Sequence, residues 1–169
     1  MIQITYQPAF DPFHTIYRIF RISDQIKQVE IDKGRIVDFY LLFPFRMVDI
    51  TFRRGDQRCK KIANAYENRR GYAIQPASRG LFDSMKAVYE AAAQTMAAEG
   101  YLDPAALLAG ILSTTSKPIP ADLAARISSD NAAEQDLLEC LATLLEYDLL
   151  GSDGLKARTK LMEHRNDAA

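Results

Sequence analysis

Apolar side chains in the first half of the chain recur with helical spacing in two long segments. Over residues 13–27 they return every three or four positions, which predicts an amphipathic helix. Residues 32–43 are apolar on nearly all sides, which predicts a buried second helix. This second helix is expected to take Asp32 as its N-cap and to end before Pro44, because proline cannot continue a helix.

Shorter patterns fill the rest of the first half. Residues 2–6 and 48–52 alternate between apolar and polar positions, which is typical of short strands. Residues 56–68 predict a basic helix. The following stretch, residues 69–78, is polar and follows neither period, so a junction is expected there.

The second half predicts one helix after another. Its longest helix is expected over residues 81–96, with Gly100 at its C-terminal cap. Asp103 and Pro104 have the form of an N-cap and first helical residue, and the helix they begin is expected to extend to Leu112.

The C-terminal pattern predicts a leucine-rich helix over residues 131–149. Asn131 and Glu134 have the spacing of a capping box at its start. The last segment, residues 155–165, has weaker periodicity and fits either a short helix or a small β-wing.

Charge and residue type change near the middle of the chain. Residues 1–80 carry 14 Lys/Arg and 8 Asp/Glu, whereas residues 81–169 carry 7 and 14; 15 of the 17 leucines lie in the second part. These shifts predict a basic, aromatic-rich N-terminal lobe, residues 1–75, and an acidic, Leu-rich helical C-terminal lobe, residues 76–169.

The expected fold class is therefore mainly α with a small β component, built as two helical lobes. A winged-helix form of each lobe fits the order of the elements. In that form residues 48–52 and 149–158 would be the wings.

Candidate catalytic chemistry is sparse. The chain has no glycine-rich phosphate loop and no G-x-G-x-x-G motif, so no nucleotide site of those kinds is expected. Two separate cysteines, Cys59 and Cys140, and two histidines predict neither a disulfide framework nor a zinc site. We expect a non-enzymatic cytoplasmic protein without cofactor, metal or membrane span.

One basic stretch suggests a binding surface. Residues 46–70 contain eight Lys/Arg and three Asp/Glu, and helical geometry aligns several of the cations on one flank. Such a flank can follow a phosphate backbone. An ordinary charged surface paired with acidic residues of the second lobe is the favoured interpretation, because a nucleic-acid-binding protein usually has a net basic charge. The candidate DNA-binding residues are Arg54, Arg58, Lys61 and Arg69.

Acidic residues on the leucine-rich helix form the second candidate surface. We expect the leucines to pack within the lobe and the acids to face a basic partner. The candidate partner-binding residues are Glu139, Glu146 and Asp148.

Three segments carry a family resemblance over nearly the whole chain. They are YQPAFDPFH at residues 6–14, GRIVDFYLLFPF at residues 34–45 and GLKARTKL at residues 154–161. The chain resembles the middle component of bacterial ABC three-component systems, which are similar to Lamassu-type defences against phages and plasmids. The resemblance assigns no catalytic residues.

The resemblance implies partners and a role. It predicts a non-enzymatic adaptor that links an SMC-like ABC ATPase to an effector, often a nuclease, and that meets DNA through the complex. Two alternatives remain from the residues alone: a free-standing DNA-binding regulator with a winged helix, and an enzyme.

Overall fold

The computed structural model describes residues 7–71 and 75–163, and the strand predicted at residues 2–6 lies outside them. The α-helices of the described residues are α1 (Pro12–Gln25), α2 (Ile31–Leu42), α3 (Arg58–Ala65), α4 (Ser78–Ala98), α5 (Pro104–Leu108), α6 (Ala121–Ala133), α7 (Gln135–Leu145) and α8 (Leu155–Thr159). Short 3-10 helices cover Pro8–Phe10, Pro44–Asp49, Arg54–Asp56 and Glu67–Arg70. The expected fold class, mainly α with a small β component, is confirmed.

The sheet has two antiparallel strands, β1 (Gln28–Glu30) and β2 (Ile111–Ser113), with Val29 opposite Leu112. The strand β2 lies where the helix begun at Asp103 was expected to continue. That helix ends at Leu108, because Gly110 takes a φ of +80° that no helix contains.

The first two helices confirm most of the sequence prediction. Asp11 caps α1, since its Oδ1 accepts hydrogen bonds from the backbone N–H groups of Phe13 at 2.8 Å and His14 at 3.1 Å. Helix α2 ends before Pro44 as expected, but it begins at Ile31. Asp32 therefore lies inside the first turn and pairs with Arg35 at 3.2 Å, so its prediction as the N-cap was wrong.

The strand predicted at residues 48–52 and the wing predicted at residues 149–158 are also wrong. Pro44–Asp49 is a 3-10 helix, and residues 155–159 form α8. The alternation in the first segment marks burial of Ile50 and Phe52, which pack in the core without a partner strand. A buried irregular segment and a half-buried strand leave the same local pattern.

Asn131 has a different role from the capping residue predicted. It lies inside α6 and is buried, and α7 begins only at Gln135. Its side-chain amide donates to the carbonyl oxygen of Arg21 at 3.1 Å and its Oδ1 accepts from Arg21 Nε at 2.8 Å. A tertiary contact between α6 and α1 therefore occupies the side chain.

Two groups of buried apolar residues form the interior. The first gathers Phe39, Tyr40 and Leu141 with neighbours from α2, α3, α7 and α8. The second gathers Ile19 and Met96 with neighbours from α1, α4 and β2. Each group combines residues from both sides of the boundary predicted at residue 75, and the division into lobes stays a prediction. None of the helices in the described part of the chain is long and apolar enough to cross a membrane.

Candidate nucleic-acid and partner interface

The basic helix α3 is joined covalently to the leucine-rich helix α7. Cys59 and Cys140 form a disulfide with their Cα atoms 5.6 Å apart, and both residues are fully buried. The expectation of two unpaired cysteines was wrong, because 81 residues separate them in sequence and only the packing of α3 on α7 brings them together. The cytoplasmic location, which used the cysteines as an argument, stays a prediction.

Two of the four candidate DNA-binding residues form ion pairs within the fold. Arg58 Nη2 lies 3.6 Å from Glu139 Oε2, with both side chains well exposed. Arg69 pairs with Glu134, and its guanidinium lies 4.6 Å from the centre of the Tyr66 ring. Arg58 and Arg69 therefore pair with acidic residues of the C-terminal half.

The other two candidates, Arg54 and Lys61, are exposed. Neither has an ion pair with any carboxylate of residues 7–71 and 75–163. Arg54 begins the 3-10 helix Arg54–Asp56 just before α3. All four candidates are exposed, but Arg58 and Arg69 form ion pairs with acidic residues of the C-terminal half, whereas Arg54 and Lys61 form none within the described residues.

The acidic candidates lie along α7 and just after it. Glu139 pairs with Arg58, so the two predicted surfaces meet at this point. Glu146 and Asp148 are exposed, and no ion pair involving them occurs within the described ranges. The leucines of α7 turn inward as expected: Leu137, Leu138, Leu141 and Leu144 are buried.

A buried tyrosine after α7 organises basic residues that the sequence analysis did not single out. The Tyr147 hydroxyl donates to Asp56 Oδ2 at 2.6 Å and accepts from the backbone N–H of Arg53 at 3.0 Å. The guanidinium carbons of Arg53 and Arg158 lie 4.1 and 5.3 Å from the centre of its ring. Burial, followed by the bond to Asp56, raises the pKa of Tyr147.

A third arginine that the sequence analysis did not name as a candidate, Arg46, anchors the start of α4. It is buried and donates to Ser78 Oγ at 2.8 Å and to the carbonyl oxygen of Pro76 at 2.9 Å. Its guanidinium also lies 5.6 Å from the Phe43 ring. Burial lowers the pKa of Arg46, and the nearby Arg70 lowers it further. Its position immediately after the aromatic motif at residues 34–45 was the available signal.

Comparison with known protein families matches residues 4–167 to the ABC-three component (ABC-3C) system Middle Component 5. The chain belongs to this family. As an ABC-3C middle component it is one part of a multi-component system, and the resemblance at the three sequence motifs is confirmed at this level.

Among curated proteins and among solved structures, the middle component has no significant match. Within residues 7–71 and 75–163 it also has no group of three or more His, Cys, Asp or Glu side chains placed to hold a metal ion.

Proposed function

We propose that this middle component is a non-enzymatic adaptor in a Lamassu-like defence complex. It links an SMC-like ABC ATPase to an effector, a nuclease, and restrains the effector until foreign DNA is sensed. Membership of the ABC-3C family over residues 4–167 is the observation that carries this proposal. The adaptor works in the cytoplasm and uses no cofactor.

Co-purification of the native complex tests the adaptor role. The chain, expressed together with the products of its neighbouring genes, is expected to elute with an ABC ATPase and an effector in a fixed ratio. A gene without an ATPase or nuclease beside it would contradict the proposal. A chain that remains a free dimer and binds one DNA sequence tightly by itself would instead support the regulator.

The acidic end of α7 supports a partner surface on the adaptor. Glu146 and Asp148 are exposed and carry charges that no described basic residue neutralises. Charges at the rim of an interface mainly change the association rate, and salt screens them. A basic surface on the ATPase or the effector is the complement we propose.

Charge reversal tests this surface. The variant Glu146→Lys/Asp148→Lys is expected to slow assembly about tenfold or more at low salt and less at high salt. The control Asp83→Lys/Asp122→Lys makes the same charge change at exposed positions of α4 and α6. Equal association rates for both variants and the wild type would reject the surface. Glu139 requires a separate variant, because reversing it also breaks its pair with Arg58.

The most detailed part of the proposal is direct DNA contact by the basic flank, the candidates Arg54, Arg58, Lys61 and Arg69. Each phosphate contact releases counterions, so each lost contact is expected to reduce the salt slope of binding by about one unit. The test compares Arg54→Ala/Lys61→Ala with Arg58→Ala/Arg69→Ala in the assembled complex. Only the first pair is expected to weaken binding, since Arg58 and Arg69 are neutralised inside the fold.

A further inference from the structure

Two hydrogen bonds join the segment before α3 to the helix α8, one between backbones and one from a side chain. The Thr51 N–H donates to the carbonyl oxygen of Arg158 at 3.1 Å, and Arg158 Nη1 donates to the carbonyl oxygen of Thr51 at 2.6 Å. The two partners lie 107 residues apart in sequence. This contact brings the most basic part of the C-terminal half next to the basic stretch of the N-terminal half.

The contact matters because residues 156–160 are rich in cations. Three of the seven Lys/Arg of residues 81–169 lie within residues 156–160: Lys156, Arg158 and Lys160. The C-terminal half is acidic overall, so these cations are concentrated at the one place where α8 reaches residues 51–54. A charged patch assembled from both halves results.

The Tyr147 ring fixes the centre of the patch. Arg53 and Arg158 both approach this ring, and a guanidinium over an aromatic face keeps its N–H groups available at its edge. Arg158 also bonds to Asp153 at 3.1 Å. Arg53 is exposed, and its guanidinium pairs with no carboxylate in the part of the chain that the structure describes.

Two further cations extend the patch at its edges. Arg54 follows Arg53 directly, and Lys160 follows α8 with a left-handed φ of 57°. Both are exposed and outside any ion pair with the described carboxylates. Two of the neighbouring acids are engaged, since Asp56 accepts from the Tyr147 hydroxyl and Asp153 from Arg158. Glu146 and Asp148, on either side of Tyr147 in sequence, are exposed and form no ion pair within the described ranges.

We propose that this patch is a phosphate-binding face and that Arg53, Arg54 and Lys160 contact the backbone of duplex DNA. DNA presents phosphates at regular short intervals along each strand, and a fixed group of cations from separate segments matches such a row better than one flexible side chain does. The inference rests on the proposed function, because a complex that senses foreign DNA must contact it. It extends the proposed DNA face from Arg54 and the α3 flank to the junction of α8 with residues 51–54.

The test measures binding of the assembled complex to a 30-base-pair duplex of mixed sequence, by fluorescence anisotropy over a range of KCl concentrations. The face variant is Arg53→Gln/Arg54→Gln/Lys160→Asn, with asparagine at position 160 because it tolerates the left-handed backbone. Loss of three phosphate contacts is expected to reduce the salt slope by about three units and the affinity by on the order of 100-fold at 0.1 M salt.

Two matched variants control for charge and folding. Lys27→Gln/Lys86→Gln/Arg126→Gln removes three cations from other surfaces and is expected to leave affinity and slope unchanged. Arg54→Gln/Lys160→Asn leaves the Arg53 and Tyr147 contact intact and is expected to lower the slope by about two units. If the face variants bind like the wild type, or if the control variant weakens binding equally, the inference is overturned.

Assembly and competition separate the remaining outcomes. Gel filtration of the wild-type complex comes first, and a wild type that does not assemble contradicts the proposed function itself. An assembled wild type that does not bind the duplex overturns only the inference. Poly-glutamate that displaces the duplex equally well per charge also overturns it, in favour of an acidic protein partner.

Discussion

Arg18 and Asp38 form a buried ion pair that joins α1 to α2. Arg18 Nε lies 2.7 Å from Asp38 Oδ1, and Arg18 Nη2 donates to Oδ2 at 3.1 Å. Arg18 also donates to Thr15 Oγ1 and to the carbonyl oxygen of Pro8. Burial raises the pKa of Asp38 above its ordinary value, while Arg18, and more weakly Arg35, oppose the shift.

Replacing Arg18 by methionine is expected to make stability depend on pH. The variant leaves Asp38 buried without its partner, which raises the pKa of that carboxyl further and costs about 3 kcal/mol at pH 7.5. The folded state then holds a proton that the unfolded state has released, so the loss shrinks as pH falls through the raised pKa. Urea unfolding at pH 5 and pH 7.5 measures the difference.

The double variant Arg18→Met/Asp38→Asn is the control for this prediction, because it removes the titrating group. Its loss of stability is expected to be nearly the same at both pH values. An equal loss at both pH values for Arg18→Met alone would contradict the assignment to Asp38.

Gly34 in α2 leaves room for the side chains of Tyr89 from α4 and Leu112 from β2. A Cβ atom at this position would lie 2.6 Å from the Tyr89 hydroxyl and 2.9 Å from Leu112 Cδ1. Gly34→Ala is therefore expected to lower the free energy of unfolding by about 1–3 kcal/mol, despite the better helix propensity of alanine.

The matched variant is Gly80→Ala in α4, where an added Cβ meets nothing within 4 Å. It is expected to be neutral or to stabilise by up to about 1 kcal/mol. Chemical denaturation of both variants provides the comparison. A Gly34→Ala protein as stable as the wild type would mean that the Tyr89 and Leu112 side chains move aside at little cost.

At the scale of elements, α3 and α7 pack in the same buried group and are also linked by one disulfide and one exposed ion pair. The Arg58 and Glu139 side chains are 60% and 45% exposed, so their pair adds at most about 0.5 kcal/mol. The Cys59–Cys140 disulfide closes a loop spanning 81 positions. Such a disulfide stabilises the folded state because it reduces the conformational entropy of the unfolded chain.

Reduction is expected to lower the free energy of unfolding by about 4 kcal/mol. Thermal unfolding with and without reductant measures this effect, and intact mass before and after alkylation counts the thiols. The variant Cys59→Ala/Cys140→Ala is expected to melt at one temperature whether reductant is present or absent. Two alkylated thiols in the unreduced, unfolded wild type would show that the bond does not form.

At the scale of the whole molecule, α4 connects the two buried groups. Its Leu81, Phe82 and Met85 belong to the first group, and its Tyr89 and Met96 belong to the second. Because one continuous helix carries both sets of contacts, loss of one group exposes the other.

We therefore expect a single unfolding transition. Leu141→Ala in the first group and Met96→Ala in the second are each expected to destabilise by about 2–5 kcal/mol and to shift the same transition. Calorimetry and circular dichroism together measure it. Two separated transitions, each moved by only one variant, would indicate independent units such as lobes 1–75 and 76–169.

The sequence by itself determined the features that depend on neighbouring residues. The periodicity of α1 and α4, the Asp103-Pro104 start and the stop at Pro44 each involve a few consecutive positions. The inward face of the α7 leucines follows from the same local rule, and the quoted motifs indicated the family. A helix that buries one face has apolar residues that recur about every 3.6 positions, and this period can be recognised without knowing what the helix packs against.

Only the tertiary structure decided which distant residues meet. The Cys59–Cys140 bond, the Arg58–Glu139 pair and the contact of Arg158 with Thr51 each join positions 81 or more residues apart. Asn131 has a capping spacing in the sequence, yet Arg21 occupies its side chain. The sequence gives the number of charged groups and cysteines available for such contacts. It does not show which of them meet, because a long-range contact leaves no local period, and the packing of the helices determines the partners.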